Sequence, residues 1–149
     1  MSIIQTQLFI FYLIPTAAIS GPFLGDTLLV LVSLIFIIYN FQTFISYLKF
    51  WTSKIFFIFW FLILIRSLFA ENIFLSLESS LFYFRFFIFS LVIFFFLESK
   101  ILNFKYLILS LAIPIFILFI DSSLQFFTGS NIFGWETPSS GRISSLLAK

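Results

Sequence analysis

The run Phe86-Phe87-Ile88-Phe89-Ser90-Leu91-Val92-Ile93-Phe94-Phe95-Phe96-Leu97 holds a single hydroxyl and no charge. Similar stretches recur along most of the chain. Side chains of this kind are stable in a packed apolar interior or in lipid. The supply of charge decides between the two. Of 149 residues, 9% are charged and 62% hydrophobic, and the mean hydropathy is +1.20. Soluble domains carry about 25% charged residues, because a folded surface must be solvated. Eight Lys and Arg with six Asp and Glu cannot cover a globule of this size. The outer surface must therefore face lipid, and the expected fold class is all-α: a polytopic transmembrane helix bundle.

A helical span needs about 20 largely apolar residues, fewer when flanking side chains snorkel. Five candidates satisfy this within residues 1–120: 3–19, 27–47, 55–70, 81–97 and 104–120. The first contains Pro15 and the fifth Pro114, both tolerable where neighbours re-satisfy the backbone. Ser20 to Asp26 reads as a turn, and Lys49 to Lys54 as a short basic link. Residues 121–149 change character, with Ser, Thr, Gly and Pro at loop frequencies, and read as an external, aqueous-facing segment. Lys49, Lys54, Lys100 and Lys105 fall in the second and fourth links, which the positive-inside rule places in the cytoplasm. The N-terminus is then inside and the tail outside. Ala18-Ile19-Ser20 resembles a signal-cleavage site, but Met1 to Gln5 lacks the positive charge that a signal peptide carries. The 27 Phe residues fit drift among lipid-compatible side chains better than an aromatic-lined pore.

The chain has no Cys and no His, which excludes disulfide scaffolds, thiolate nucleophiles, His/Cys metal sites and imidazole catalysis. A net charge of +2 is too weak for a nucleic-acid footprint. No Gly-rich phosphate loop, Asp-x-Asp metal site or hydrolase elbow occurs. No metal or cofactor is expected.

Polar groups at membrane depth carry the information, since a charge there costs roughly 2.5–3.5 kcal/mol. Arg85 lies about one turn inside the fourth candidate span. It either faces the bundle and holds an anionic group, or snorkels outward or pairs with Glu78. Glu71 and Glu78 bracket the third link, where Glu78 near a helix start would be favoured by the helix dipole. Asp26 reads as a helix cap or as an external catalytic acid. Arg66 reads as an interface anchor. Between Asp121 and Trp135, aromatic pairs and glycines suggest an ordered outer loop, and Arg142 stands among serines that would suit a phosphate or sugar.

Four motifs resemble the N-terminal half of the O-antigen ligase and O-antigen polymerase family. They are Ile19-Ser20-Gly21-Pro22-Phe23 with Asp26; Ser76-Leu77-Glu78-Ser79-Ser80-Leu81 with Tyr83, Arg85 and Phe86; Asp121 with Gln125-Phe126-Phe127-Thr128-Gly129 and Ile132-Phe133-Gly134; and Gly141-Arg142-Ile143-Ser144-Ser145. The resemblance implies a bacterial inner-membrane glycosyltransferase of lipopolysaccharide biosynthesis. Such enzymes move a glycan from an undecaprenyl-diphosphate carrier to lipid A-core or to another glycan. It implies that Arg142 engages the carrier diphosphate, with Arg85 as a second catalytic cation and Gln125 and Asp121 beside the substrate. Family members carry ten or more spans and a large Arg-bearing external loop. The resemblance therefore implies the front part of a truncated or split enzyme, inactive by itself. Ligase and polymerase remain open, as do the sugar and the acceptor. Outside the resemblance stand a different lipid-carrier transferase using Asp26, a transporter or flippase fragment with Arg85 lining a water path, and an inactive remnant.

Overall fold

The structure, a computed structural model, describes residues 2–130 together with Ile132 and Gly134. Its seven helices are α1 (Ile3–Ile19), α2 (Pro22–Tyr39), α3 (Phe41–Leu48), α4 (Trp51–Ser67), α5 (Ile73–Phe82), α6 (Phe84–Glu98) and α7 (Phe104–Thr128), and no strand occurs among the described residues. They fall into two compact units. One comprises the described residues up to Leu28 and from Leu102 onward, the other Leu29–Ile101.

In the first unit, α1 opens on a reciprocal cap. Ser2 Oγ accepts the Gln5 N–H at 3.3 Å and Gln5 Oε1 accepts the Ser2 N–H at 3.0 Å, which satisfies two of the helix's orphan donors. Helix α7 opens on Asn103, whose side chain accepts from Lys105 N at 3.0 Å, and it closes on Gly129 at φ 78°, a left-handed position suited to glycine. Helices α1 and α7 pack together. The Tyr12 hydroxyl ties them, accepting from Asn103 N at 3.0 Å and donating to Asn103 O at 3.2 Å. The first turns of α2 also belong here. A Cβ at Gly25 would lie 3.4 Å from the Ala18 backbone, a close van der Waals contact between α2 and α1.

In the second unit, Val32, Phe36, Val92 and Phe96 are fully buried. Phe36 of α2 meets Phe95 of α6 at 5.3 Å and stacks on Tyr47 of α3 at 6.4 Å. The Tyr47 hydroxyl donates to Glu98, and Ser53 donates to Tyr47 O at 2.7 Å, which fixes the α3–α4 corner. Helices α4 and α5 form a hairpin whose buried Ser67 and Ser80 hydroxyls touch. The Trp60 indole donates to Ser80 O at 2.9 Å. A side chain inserted into a helix ladder disturbs it, and the interruption between α5 and α6 at Tyr83 lies at this turn.

Much of the outer surface is apolar: Phe23, Phe69 and Phe74 are each more than three-quarters exposed. A soluble surface does not tolerate that much exposed aromatic area. Two stretches, Ile73–Glu98 (26 residues) and Phe104–Thr128 (25 residues), are long and apolar enough to cross a membrane. The bent pair Phe23–Tyr39 and Phe41–Leu48 would make a third. These are the helices that meet the length requirement, against the five spans expected from sequence.

The helix bounds correct the sequence reading at four places. The turn expected over Ser20 to Asp26 contracts to Ser20 and Gly21, because Pro22 suits the first helical position and α2 starts there. The expected span 27–47 breaks at Asn40, where the chain bends by 100°. Asn40 leaves the helical region at φ −124° and ψ 39° and makes no side-chain cap; its residue type favours such non-helical backbone. The basic link shortens to Lys49 and Phe50, with Lys54 inside α4. The last helix runs on past residue 120 to Thr128, so Asp121 and Gln125 are helical rather than loop residues.

Candidate functional site

The strongest gathering of chemistry is on the α5–α6 helix of the second unit. Leu75, Glu78, Ser79, Phe82, Tyr83, Arg85 and Phe86 line a cleft of about 410 Å³. Their spacing by three and four residues puts them along one face of a helix. Arg85, half-buried in the first turn of α6, holds its guanidinium carbon 4.9 Å from the Phe86 ring centre and 5.9 Å from that of Phe82. Aromatic faces attract a cation at this range, so the rings help to orient the guanidinium. Ser79 Oγ donates to Leu75 O at 3.0 Å, which leaves its oxygen as an acceptor. A cation, a carboxylate and a phenol thus share one cleft with apolar walls.

Such a cleft can engage a phosphate or diphosphate through Arg85, whose planar fork matches phosphate oxygens. Glu78 supplies a carboxylate for a hydroxyl proton. The dipole reading of Glu78 does not hold, because it is the sixth residue of α5 and lies beyond the first turn. The reading of Asp26 as a helix cap fails for a similar reason: α2 starts at Pro22, which puts Asp26 inside the helix.

Asp121 and Gln125 lie in the first unit, one helical turn apart on α7, and both are fully buried. Asp121 Oδ1 accepts the Ile132 N–H at 2.8 Å, so the chain after Gly129 returns to this face of the helix. The Gln125 carbonyl accepts the Gly129 N–H at 3.0 Å, ending the helix. Sequence reading missed this role because Asp121-Ser122-Ser123 has loop composition. The i, i+4 spacing of Asp and Gln was the signal available. Arg142 lies outside the described residues.

Glu71 is exposed in the α4–α5 link, and Arg66 is exposed in the last turn of α4, where a cation suits the helix dipole. Tyr83 and Arg85 were visible as a motif. Their company with Leu75, Ser79 and Phe82 follows from the continuation of one helical face across the Tyr83 break. Among the described residues, no three Asp, Glu, His or Cys side chains gather as a metal site. The chain matches no family model, no curated protein and no solved structure.

Proposed function

We propose that this chain corresponds to the N-terminal part of a bacterial inner-membrane glycosyltransferase of the O-antigen ligase and polymerase kind. In this reading the chain crosses the membrane five times from a cytoplasmic N-terminus. The donor is an undecaprenyl-diphosphate-linked glycan, and the acceptor is lipid A-core or another glycan. An acceptor hydroxyl attacks the anomeric carbon, the bond from that carbon to the diphosphate oxygen breaks, and the diphosphate leaves with the electron pair. Arg142 and Arg85 neutralise the charge that develops on the leaving group. We assign Glu78 as acceptor of the hydroxyl proton.

The observation that carries this reading is the Arg85 cleft, with its aromatic-braced guanidinium beside Glu78, Ser79 and Tyr83. An Arg in an otherwise apolar helix is expensive and marks a functional position.

The test is complementation in cells that display a glycan ladder, with Arg85 changed in a full-length enzyme that carries this chain as its N-terminal part and the level of membrane-inserted protein measured in parallel. Arg85→Ala is expected to remove the ladder at normal protein level, and Arg85→Lys to restore part of it. An unchanged ladder with Arg85→Ala refutes the assignment.

One observation favours a second reading. A 100° break inside an apolar stretch, as between α2 and α3, is how transporters expose backbone groups to a transported solute. In that case Asn40 variants would alter solute flux, and Arg85→Ala would leave any glycan ladder intact.

A further inference from the structure

On the other side of the α4–α5 hairpin from the Arg85 residues, a cleft of about 470 Å³ is lined by Phe59, Leu62, Ile63, Arg66, Ser67, Phe69, Ala70, Ser76 and Ser80. Its chemistry is graded along α4. Phe59, Leu62 and Ile63 form the apolar stretch, and one turn later Arg66 sits at the end of the helix, near the hydroxyls of α5. Residues three and four apart on a helix share a face, so this is one continuous groove with an apolar body and a cationic mouth.

The mouth has unspent hydrogen-bonding capacity. The Ser67 and Ser80 hydroxyls are spent within the hairpin, on each other and on the carbonyls of Ile63 at 2.9 Å and Ser76 at 2.7 Å. The Arg66 guanidinium makes no ion pair or hydrogen bond among the described residues, although Glu71 is five residues away in the link. The Ser76 hydroxyl likewise makes none there.

We infer that this groove is a binding site for an anionic phospholipid, with its phosphate on Arg66 and the Ser76 hydroxyl and one acyl chain along Phe59, Leu62 and Ile63. Charge complementarity selects the occupant. A guanidinium takes two phosphate oxygens at once, and the apolar stretch directly beside it suits a chain attached to that phosphate rather than a free ion. The site is separate from the Arg85 cleft and does not depend on the glycosyltransferase reading.

The test uses the full chain purified in a non-ionic detergent, with thermal unfolding followed while one of three additives is titrated: phosphatidylglycerol, diacylglycerol with the same acyl chains, or inorganic phosphate. Phosphatidylglycerol is expected to raise the midpoint, and the other two to leave it unchanged. Loss of a charge-assisted pair weakens binding roughly ten- to hundredfold. Arg66→Gln should therefore abolish the shift at lipid concentrations that saturate the parent chain, and Arg66→Lys should keep part of it. Native mass spectrometry should count one retained lipid fewer in Arg66→Gln. Leu62→Trp, at a position 58% exposed and free of a core role, fills the groove and should act like Arg66→Gln. It keeps the proposal testable if the Arg66 variants fail to fold. An equal shift with diacylglycerol, a shift with phosphate alone, no shift with phosphatidylglycerol, or full retention of the lipid in Arg66→Gln or Leu62→Trp would each overturn the inference.

Discussion

Lys100 holds a left-handed backbone conformation at φ 52°, unlike every other non-glycine residue described. It follows Ser99, which caps α6, and the two hydrogen bonds of a six-residue helix stop are both present. Lys100 N–H donates to Leu97 O at 3.1 Å and Ile101 N–H to Phe96 O at 3.2 Å. The position after the cap in such a stop favours glycine, because a Cβ crowds the following carbonyl at a cost of roughly 1–2 kcal/mol. Glycine would remove that cost. Against it stand the extra freedom of glycine in the unfolded chain, about 0.5–1 kcal/mol, and the loss of a cation at a helix C-terminus, about 0.3–1 kcal/mol. The mid-values nearly cancel, so the net gain for Lys100→Gly is only about 0.1 kcal/mol and its midpoint should lie within about 1 °C of the parent. Thermal unfolding in detergent, followed by circular dichroism, reads the shift, and the order of variants is the stronger test. Lys100→Gln keeps the strain and removes the charge, so it should fall slightly below the parent. Lys100→Asn should lie between Gln and Gly, since Asn tolerates the left-handed region, and Lys100→Val should be least stable. A Gly variant no more stable than the Gln variant would refute the argument that backbone strain is stored at this residue.

Two further outcomes are expected. Tyr12→Phe removes both bonds to the Asn103 backbone and should destabilise the chain by about 1 kcal/mol, with faster amide exchange at Asn103; unchanged exchange would mean that Tyr12 does not tie α1 to the start of α7. Asn40→Leu should let α2 run into α3, lengthening the Cα separation of residues 30 and 45 from about 16 Å at a 100° bend to about 22 Å at 1.5 Å per residue, as read by spin-label distances; a retained short distance would place the cause of the bend in the Phe36, Tyr47 and Glu98 contacts.

Helix α1 and the start of α7 were legible to the residue, because each begins at a polar cap, Ser2 or Asn103, directly before an apolar run. The first helix also ends against Ser20 and Gly21, where the chain turns. The break at Asn40 and the extension through Asp121 were not legible, and both errors have one origin. Sequence reading weighed polar residues by kind, while the helix responds to what each does to the local backbone. A serine or threonine hydroxyl can spend its proton on the carbonyl four residues back. Ser33, Ser79, Ser123 and Thr128 all do so, at 2.8 to 3.0 Å. Such residues pass through a helix unnoticed, so Asp121-Ser122-Ser123 did not end α7. Asparagine, by contrast, favours non-helical backbone, and α2 ends at Asn40, which sits at φ −124° and ψ 39°.

The facing of the helices was hidden for a related reason. Where nearly every position is apolar, an apolar stripe cannot mark the inward side, since lipid accepts Phe as readily as the core does. The mark is inverted. Gln7, Ser53, Ser67, Ser80, Asp121 and Gln125 are buried while Phe69, Phe74 and Phe127 are exposed. A polar side chain surrounded by lipid has no partner, so in such a chain burial supplies its hydrogen bonds instead of costing them. The serines that join α4 to α5 follow this rule, with Ser67 and Ser80 meeting hydroxyl to hydroxyl. So does Asp121, whose carboxylate receives the Ile132 N–H. Spacing among scattered polar residues, rather than spacing among the phenylalanines, therefore tells which face of each helix turns inward. By that measure Ser80 marks the inward face of α5, while Glu78 and Ser79 stay exposed and form the cleft with Arg85 on another face; the Trp60 indole that reaches Ser80 O comes from α4 and could not be read from α5 and α6 alone.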